Sequence, residues 1–211
     1  MASKGLFITF EGMDGCGKST QMRRLAKRLR AAGRAVLESA EPGGSPIGMQ
    51  IRGILLDSAN HALSSTAELL LYFANRAQNV DQWIVPALAS GSIVLSDRFT
   101  DSSLVYQGCG RGLGAETVLA LDRIACRGLK PDLTLLIDID LATSLARAQA
   151  RNARGNRTDR MEEQGTAFYE KVRDAYLALA AGEPERFRTI DGRDNVGVVA
   201  KKIWEAVSAH V

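Results

Sequence analysis

Gly12-Met13-Asp14-Gly15-Cys16-Gly17-Lys18-Ser19-Thr20 follows the pattern G-x-x-x-x-G-K-[S/T]. Immediately before it, Leu6-Phe7-Ile8-Thr9-Phe10 is a short apolar, β-prone run. After it, Met22, Leu25, Ala26, Leu29 and Ala32 recur at helical spacing until Gly33. The order is strand, glycine loop, helix. In that setting glycines let successive backbone N–H groups turn inward around a phosphate, and the helix that follows directs its positive end to the same point. Lys18 is then placed to reach the outer phosphates, and Ser19 to offer a hydroxyl to Mg2+. A chance glycine-rich turn would not need a strand before it and a helix after it.

Outward from this loop the chain alternates strands and helices. Ala35 to Ser39 reads as a second strand and opens into the loop Glu41-Pro42-Gly43-Gly44-Ser45-Pro46. Ile47 to Leu56 is a short helix; Thr66 to Ser90 is a long one, with Leu69, Leu70, Phe73 and Ala77 on one stripe and Pro86 able to kink or divide it. Ser92 to Ser96 is a buried-type strand ending at Asp97-Arg98, where an open α/β sheet presents residues to ligands. A helix over Glu116 to Cys126 and a strand over Leu133 to Ile139 follow. Then come a helix from Leu141, a basic stretch through Arg160, a helix from Glu163 to Ala181, a strand from Phe187 to Ile190 and a last helix from Asn195. This predicts an α/β fold with a parallel, right-handed doubly wound sheet of about five strands flanked by helices, in a single domain over 1–211.

With 211 residues, 45% of them hydrophobic and 24% charged, the chain suits one sizeable core rather than two domains. A net charge of +3 is too small to argue for bulk nucleic-acid or membrane binding. Cys16, Cys109 and Cys126 have neither disulfide-framework nor metal-site spacing, so a reduced cytoplasm is expected. Met1 to Gly5 leads straight into the first strand without a signal peptide, and no apolar run is long enough to span a bilayer.

The local basic cluster is Arg147, Arg151, Arg154, Arg157 and Arg160, interrupted by Gly155-Asn156; on a helix Arg147, Arg151 and Arg154 share one face. A solvated surface helix is the bland reading. The phosphate loop favours a closing lid over about 147–162, because phosphoryl transfer spreads negative charge that arginines can stabilise and an open site lets water compete as acceptor.

The segments Glu11 to Thr20, Glu41-Pro42-Gly43-Gly44, Phe73-Ala74-Asn75-Arg76, Asp97-Arg98-Phe99 and Tyr106-Gln107-Gly108 resemble, in order and spacing, those of bacterial thymidylate kinases over essentially the whole chain. The resemblance implies a P-loop nucleoside monophosphate kinase fold with an arginine-rich lid, ATP and dTMP as substrates, Mg2+ as cofactor and a homodimer, without nucleic-acid or membrane partners. It implies that Gly12 to Thr20 bind the donor phosphates. Lys18, Arg98, Arg154 and Arg160 would be catalytic cations, and Ser19, with Asp97 through water, would hold the metal. Phe73 would stack on thymine, Arg76 would donate to a base carbonyl and Gln107 would pair with the ring imide. Tyr106 would pack on the sugar, Asp14 would hold the 3'-hydroxyl and Arg98 would grip the dTMP phosphate, with Glu41 and Ser102 completing the substrate site. For Phe73 the competing assignment is plain core packing, and for Asp97 an exposed helix-start aspartate. The helix segment Leu69-Leu70-Leu71-Tyr72-Phe73 carries more apolar side chains than one face needs, which points to a partner subunit.

Two departures stand out: Ser39-Ala40 replaces a common Thr-Arg pair before Glu-Pro-Gly-Gly, and Phe99 replaces a frequent histidine or tyrosine. The scarcity of histidine, His61 and His210 alone, is no obstacle, since a phosphate acceptor with a second pKa of about 6 needs no general base. A GTPase switch would need an Asn-Lys-x-Asp segment after a late strand, which is absent, and a DNA-stimulated ATPase would normally need a longer chain. Within the kinase class the alternative is another pyrimidine nucleotide kinase acting on dUMP, UMP or dCMP.

Overall fold

The computed structural model describes residues 5–155, 160–161 and 164–211, with backbone alone for 151–155. Strands β1 (Leu6–Glu11), β2 (Val36–Ala40), β3 (Ile93–Asp97), β4 (Leu133–Asp138) and β5 (Phe187–Asp191) form, among the described residues, one parallel sheet in the order β2-β3-β1-β4-β5. The glycine-loop strand is therefore central. Burial on both faces explains why β1, β3 and β4 read as nearly continuous apolar runs. Because all five strands run the same way, Glu11, Ala40, Asp97 and Asp138 end at one edge of the sheet, and the loops that leave it there form one rim.

Alternation along β1 divides the core. Ile8 and Phe10 pack with Met22, Leu25 and Leu29 of α1 (Lys18–Ala31) and with Val199 and Ile203 of α9 (Val196–Val207). Phe7 faces the other way, with Leu69 and Phe73 of α3 (Ser65–Asn79) and Val118 of α6 (Ala115–Cys126). Thr9 shares that second face. Its hydroxyl lies 2.9 Å from that of Thr134, and Arg186 donates to Thr134 at 2.7 Å and to Asp101 at 2.6 Å, so these buried polar groups satisfy one another.

Helix α2 (Pro46–Leu56) is capped by the Ser45 hydroxyl, which accepts from Gly48 N at 3.0 Å, and α9 by Asn195. The long helix expected over 66–90 is three pieces: α3, a π-helical turn over Val80–Ile84, and α4 (Val85–Ala89). Pro86 lacks an N–H and its ring crowds the carbonyl four residues back; widening of the preceding turn lets the helix run on. Leu70, assigned to the buried stripe, is 51% exposed, and the buried positions of α3 are instead Glu68, Leu69, Phe73, Asn75, Arg76 and Asn79. The segment after Arg98, left without an element by its polar composition, is a short helix α5 (Thr100–Ser103) continuing into a π-helix over Leu104–Gly110. The remaining helices are α7 (Leu141–Gly155) and α8 (Thr166–Gly182).

The glycine loop is locked by close approach to its neighbours. Gly12 has φ +131°, and a Cβ there would lie 2.4 Å from the Ile137 carbonyl oxygen at the end of β4. Gly12→Ala should therefore lose at least about 2 kcal/mol, combining left-handed strain with overlap. Gly53→Ala, in α2 with open space around the new methyl, should gain up to about 1 kcal/mol from helix propensity. Urea midpoints at constant m-value check both, and equal effects of the two substitutions would contradict this packing.

Candidate active site

The rim opens into a cleft of about 1130 Å³ lined by the glycine loop, the Glu41 to Gly44 loop, Tyr72 and Arg76 of α3, Asp97, Arg98 and the π-helix residues Tyr106 and Gln107. Residues expected from distant parts of the sequence thus meet in one space.

At the loop end, Lys18 is 6% exposed, and its Nζ donates to the carbonyls of Gly12 and Met13, each at 2.9 Å. The Cys16 thiol lies 3.7 Å from that ammonium; burial pushes its pKa up, partly offset by Lys18. Cys16 is therefore a buried packing group. Ser19 Oγ donates to Asp97 Oδ2 at 2.5 Å, joining the first turn of α1 to the end of β3.

Arg98 takes a backbone conformation that few arginines adopt, φ +75°. Such strain costs on the order of 1–3 kcal/mol and persists only where the surroundings impose it. Here its N–H donates to Phe10 O at 3.0 Å and its carbonyl accepts from Ser96 Oγ at 2.8 Å. The guanidinium donates to Ser102 Oγ (3.0 Å), Tyr176 OH (3.1 Å), Asp14 Oδ1 (2.9 Å) and Tyr106 OH (3.3 Å), and lies 4.9 Å from the Tyr106 ring centre. Burial works against its charge, but Tyr106, Asp14, Tyr176 and Glu11 hold its pKa well above the ordinary value. Beneath it, fully buried Glu11 accepts from Phe99 N (2.8 Å), Ser102 Oγ (2.6 Å) and Tyr176 OH (2.8 Å).

On the opposite wall Arg76 is 1% exposed. Its Nε donates to Glu41 Oε2 at 2.6 Å, and its Nη2 to Phe99 O and Ser103 Oγ, both at 3.0 Å. Its Nη1 is buried and has no hydrogen-bond partner among the described residues. Burial opposes the charge, yet Glu41 keeps the Arg76 pKa above its usual value, so it remains a cation. Asn79 donates to Glu41 at 3.2 Å and to Ser39 Oγ at 2.9 Å, and Asn75 Oδ1 accepts from Gly43 N at 2.8 Å. Phe73, expected against the base, instead takes the competing core assignment: it is 4% exposed, packs with Phe7 and Leu69, and does not line the cleft, whereas its neighbour Tyr72 does.

Gln107 donates to Glu68 at 2.9 Å, and Arg111 and Arg160 converge on the same carboxylate. Arg160 differs here from the expected lid cation facing phosphates. It is 5% exposed, and its Nη2 donates to Glu68 Oε2 at 2.6 Å and its Nε to Leu55 O at 3.1 Å. A buried carboxylate demands such donors, so Arg160 is held against α2 and α3 instead of facing the loop. Arg147 lines the cleft and donates to Gly192 O at 3.2 Å. The side chains of Arg151 and Arg154, and all of Arg157, lie outside the described residues.

Glu11, Tyr176, Glu68, Asn75 and Asn79 received no role from sequence alone. For three of them a signal exists: Glu68, Asn75 and Asn79 recur at helical spacing in register with Phe73 and Arg76. Tyr176 carries none, being one aromatic on an ordinary amphipathic helix.

A glycine loop at the central strand, facing Arg98 and Arg76 across one cleft, defines a P-loop nucleoside monophosphate kinase. The family model described as thymidylate kinase matches residues 10–203. The chain is 53% identical over 209 residues to the thymidylate kinase of Geobacter sulfurreducens, covering 98% of each, and 50% identical over 208 residues to that of Trichlorobacter lovleyi, again covering 98% of each. The crystal structure of thymidylate kinase from Ehrlichia chaffeensis superposes with a TM-score of 0.77 at 30% identity, covering 97% of this chain and 98% of that one. The chain belongs to the thymidylate kinase family, and its reaction is the phosphorylation of dTMP to dTDP.

Glu11 yields a pH prediction. Burial first, then the nearby Asp101 charge, raise its pKa from 4.5 to about 7, against the lowering effect of Arg98, Ser102 and Tyr176. The fold thus favours the protonated carboxyl. Its contribution is full below about pH 4.5 and is lost as pH rises through about 7, about 3 kcal/mol in all. Glu11→Gln keeps an acceptor for Phe99 N and lets both hydroxyls turn to receive its amide. Urea midpoints at pH 5 and pH 8.5 should fall with pH more steeply in the wild type than in Glu11→Gln.

Proposed function

We propose that the phosphoryl donor is ATP with Mg2+, and that the donor and acceptor phosphates meet between Lys18 and Arg98. The observation that carries this reading is the contact of Ser19 Oγ with Asp97 Oδ2 at 2.5 Å. A hydroxyl and a carboxylate brought together at the start of α1 are hard oxygen donors suited to Mg2+, which keeps several waters and relies on substrate phosphates more than on protein ligands. Ser19 would hold the ion directly and Asp97 through water, and the ion would supply positive charge beside the phosphates.

The remaining work is alignment and charge neutralisation. Residues Gly12 to Thr20 wrap the donor phosphates with Lys18 on the outer ones. Arg98, held from behind by Ser102 and Tyr176, grips the dTMP phosphate. Asp14, beside Arg98, receives the 3'-hydroxyl, and Tyr106 packs on the deoxyribose. Thymine lies along Tyr72, the α3 aromatic that lines the cleft, with Gln107 toward its imide. Arg76, fixed by Glu41, donates to its carbonyl through Nη1, the nitrogen without another partner among the described residues. Arg154 supplies lid charge within about 147–162 of one kinase domain spanning 1–211.

The enzyme is read as a cytoplasmic homodimer. No helix among the described residues is long and apolar enough to cross a membrane. Leu70 on α3 is 51% exposed and Leu119 on the adjoining α6 is 41% exposed, supporting an isologous contact through this face. Light scattering at micromolar concentration should give twice the monomer mass of 22.8 kDa, and Leu70→Glu should halve it.

The acceptor site is tested by specificity constants for dTMP, dUMP and dCMP with Mg-ATP. The expected order is dTMP, then dUMP within about a hundredfold, with dCMP lower by about ten-thousand-fold. Arg76→Ala would strand Glu41 at a cost of about 3–5 kcal/mol, so Arg76→Lys is the better variant. It should fold and narrow the dTMP to dCMP ratio. An unchanged ratio would mean that Arg76 does not read the base.

A further inference from the structure

Glu68 lies in the first turn of α3 with its side chain 1% exposed, and it collects three donor side chains from two separate segments. Gln107 Nε2 reaches Oε1 at 2.9 Å; Arg111 reaches both oxygens, Nε to Oε1 at 3.2 Å and Nη2 to Oε2 at 3.1 Å; Arg160 Nη2 reaches Oε2 at 2.6 Å. Burial pushes the Glu68 pKa up, but the hydrogen bonds from Gln107, Arg111 and Arg160 outweigh it and hold it below the ordinary carboxylate value. It is therefore ionised.

An ionised carboxylate accepts hydrogen bonds and has none to give. Gln107 can meet it only through its NH2 group. Because the amide is planar, with nitrogen and oxygen on opposite sides of the carbon, the Gln107 carbonyl oxygen is turned away from Glu68. Gln107 itself is 2% exposed and lines the cleft. Without a charged neighbour a glutamine amide can flip and present either end. Here only one orientation is compatible with its partner, and the reverse would set two oxygens against each other in a buried space.

We propose that Glu68 is a positioning residue for base selection: by fixing the amide of Gln107 it makes that side chain a hydrogen-bond acceptor toward the base. The match is to the imide N–H of thymine or uracil. Cytosine, whose corresponding ring nitrogen is itself an acceptor, meets a second acceptor. The inference rests on the reading that Gln107 faces the base of the monophosphate. A Glu68 that only balanced the charges of Arg111 and Arg160 would support stability and leave selectivity alone.

The test is a double-mutant cycle of Glu68→Gln and Gln107→Ala, with specificity constants for dTMP and dCMP, calorimetric affinities for both nucleotides and thermal melting of every variant. An amide at position 68 can give as well as accept, so it no longer dictates the orientation of Gln107. Glu68→Gln should lower the dTMP to dCMP ratio at least about tenfold, through weaker dTMP binding rather than a slower maximal rate. In the Gln107→Ala background the same change should have little further effect on the ratio. An unchanged ratio in Glu68→Gln, or an equal fall in both backgrounds, overturns the proposal. A wild-type ratio in Gln107→Ala alone overturns it through the reading it rests on, because Gln107 would then not face the base. Should Glu68→Gln fail to fold, Glu68→Asp keeps the charge beside both arginines while drawing the carboxylate back by one methylene; the ratio should fall likewise, and a wild-type ratio there would refute the assignment.

Discussion

The buried carboxyl of Glu11 is the constraint on which the rest of the site depends. It ends the central strand one residue before the glycine loop, where no water can solvate it, so its oxygens must be met by protein donors. Those donors are the backbone of Phe99 and the hydroxyls of Ser102 and Tyr176. Satisfying one group therefore fixes the turn after β3, the start of α5 and the register of α8. The same two hydroxyls accept from Arg98. The donor-phosphate loop and the cation read as gripping the acceptor phosphate are thus held to a common buried point, and the strained backbone of Arg98 is maintained by contacts on both sides of it.

Much of the fold was legible because a strand buried on both faces must be apolar throughout, and β1, β3 and β4 are. The glycine loop was legible because its function demands glycine where the backbone turns left-handed and touches β4. The segment 100–110 was not. Asp101, Ser102, Ser103 and Gln107 have the composition of a surface loop, and their burial follows only once Arg186, Glu11, Arg76 and Glu68 come to face them from elsewhere in the chain. Arg160 illustrates the same limit. A run of arginines reads as one electropositive unit, whereas a single buried carboxylate from α3 has drawn this member out of it.

Of the departures from the family pattern, Ser39 and Phe99 acquire a physical account, while nothing in the structure explains Ala40. Ser39 pairs its hydroxyl with Asn79, which in turn holds Glu41, so the residue before the Glu-Pro-Gly-Gly loop serves the support of Arg76. Gly44 is packed against this pair so closely that a Cβ would lie 2.7 Å from Ser39 Oγ and 2.6 Å from Asn79 Oδ1. At Phe99 the site uses the backbone: its N–H serves Glu11 and its carbonyl accepts from Arg76. The side chain points into the core, edge-on to Phe7 at 5.0 Å. A polar ring is not required where the main chain makes the polar contacts.

The cleft backs its arginines with buried carboxyl groups: Glu41 binds Arg76 directly, Glu68 binds Arg111 and Arg160, and Glu11 reaches Arg98 through the hydroxyls of Ser102 and Tyr176. A guanidinium bound on one side by a buried carboxylate loses its rotational freedom, and its remaining N–H groups keep a set direction. Such units add little net charge, in keeping with a chain whose total is only +3. Recognition of a monophosphate in such a cleft follows from where donors point more than from how much positive charge is present. That is the property a site needs if it is to separate bases that carry the same phosphate. The cost is borne by folding, since Glu41 and Glu68 are stable as buried carboxylates only while their arginines are in place.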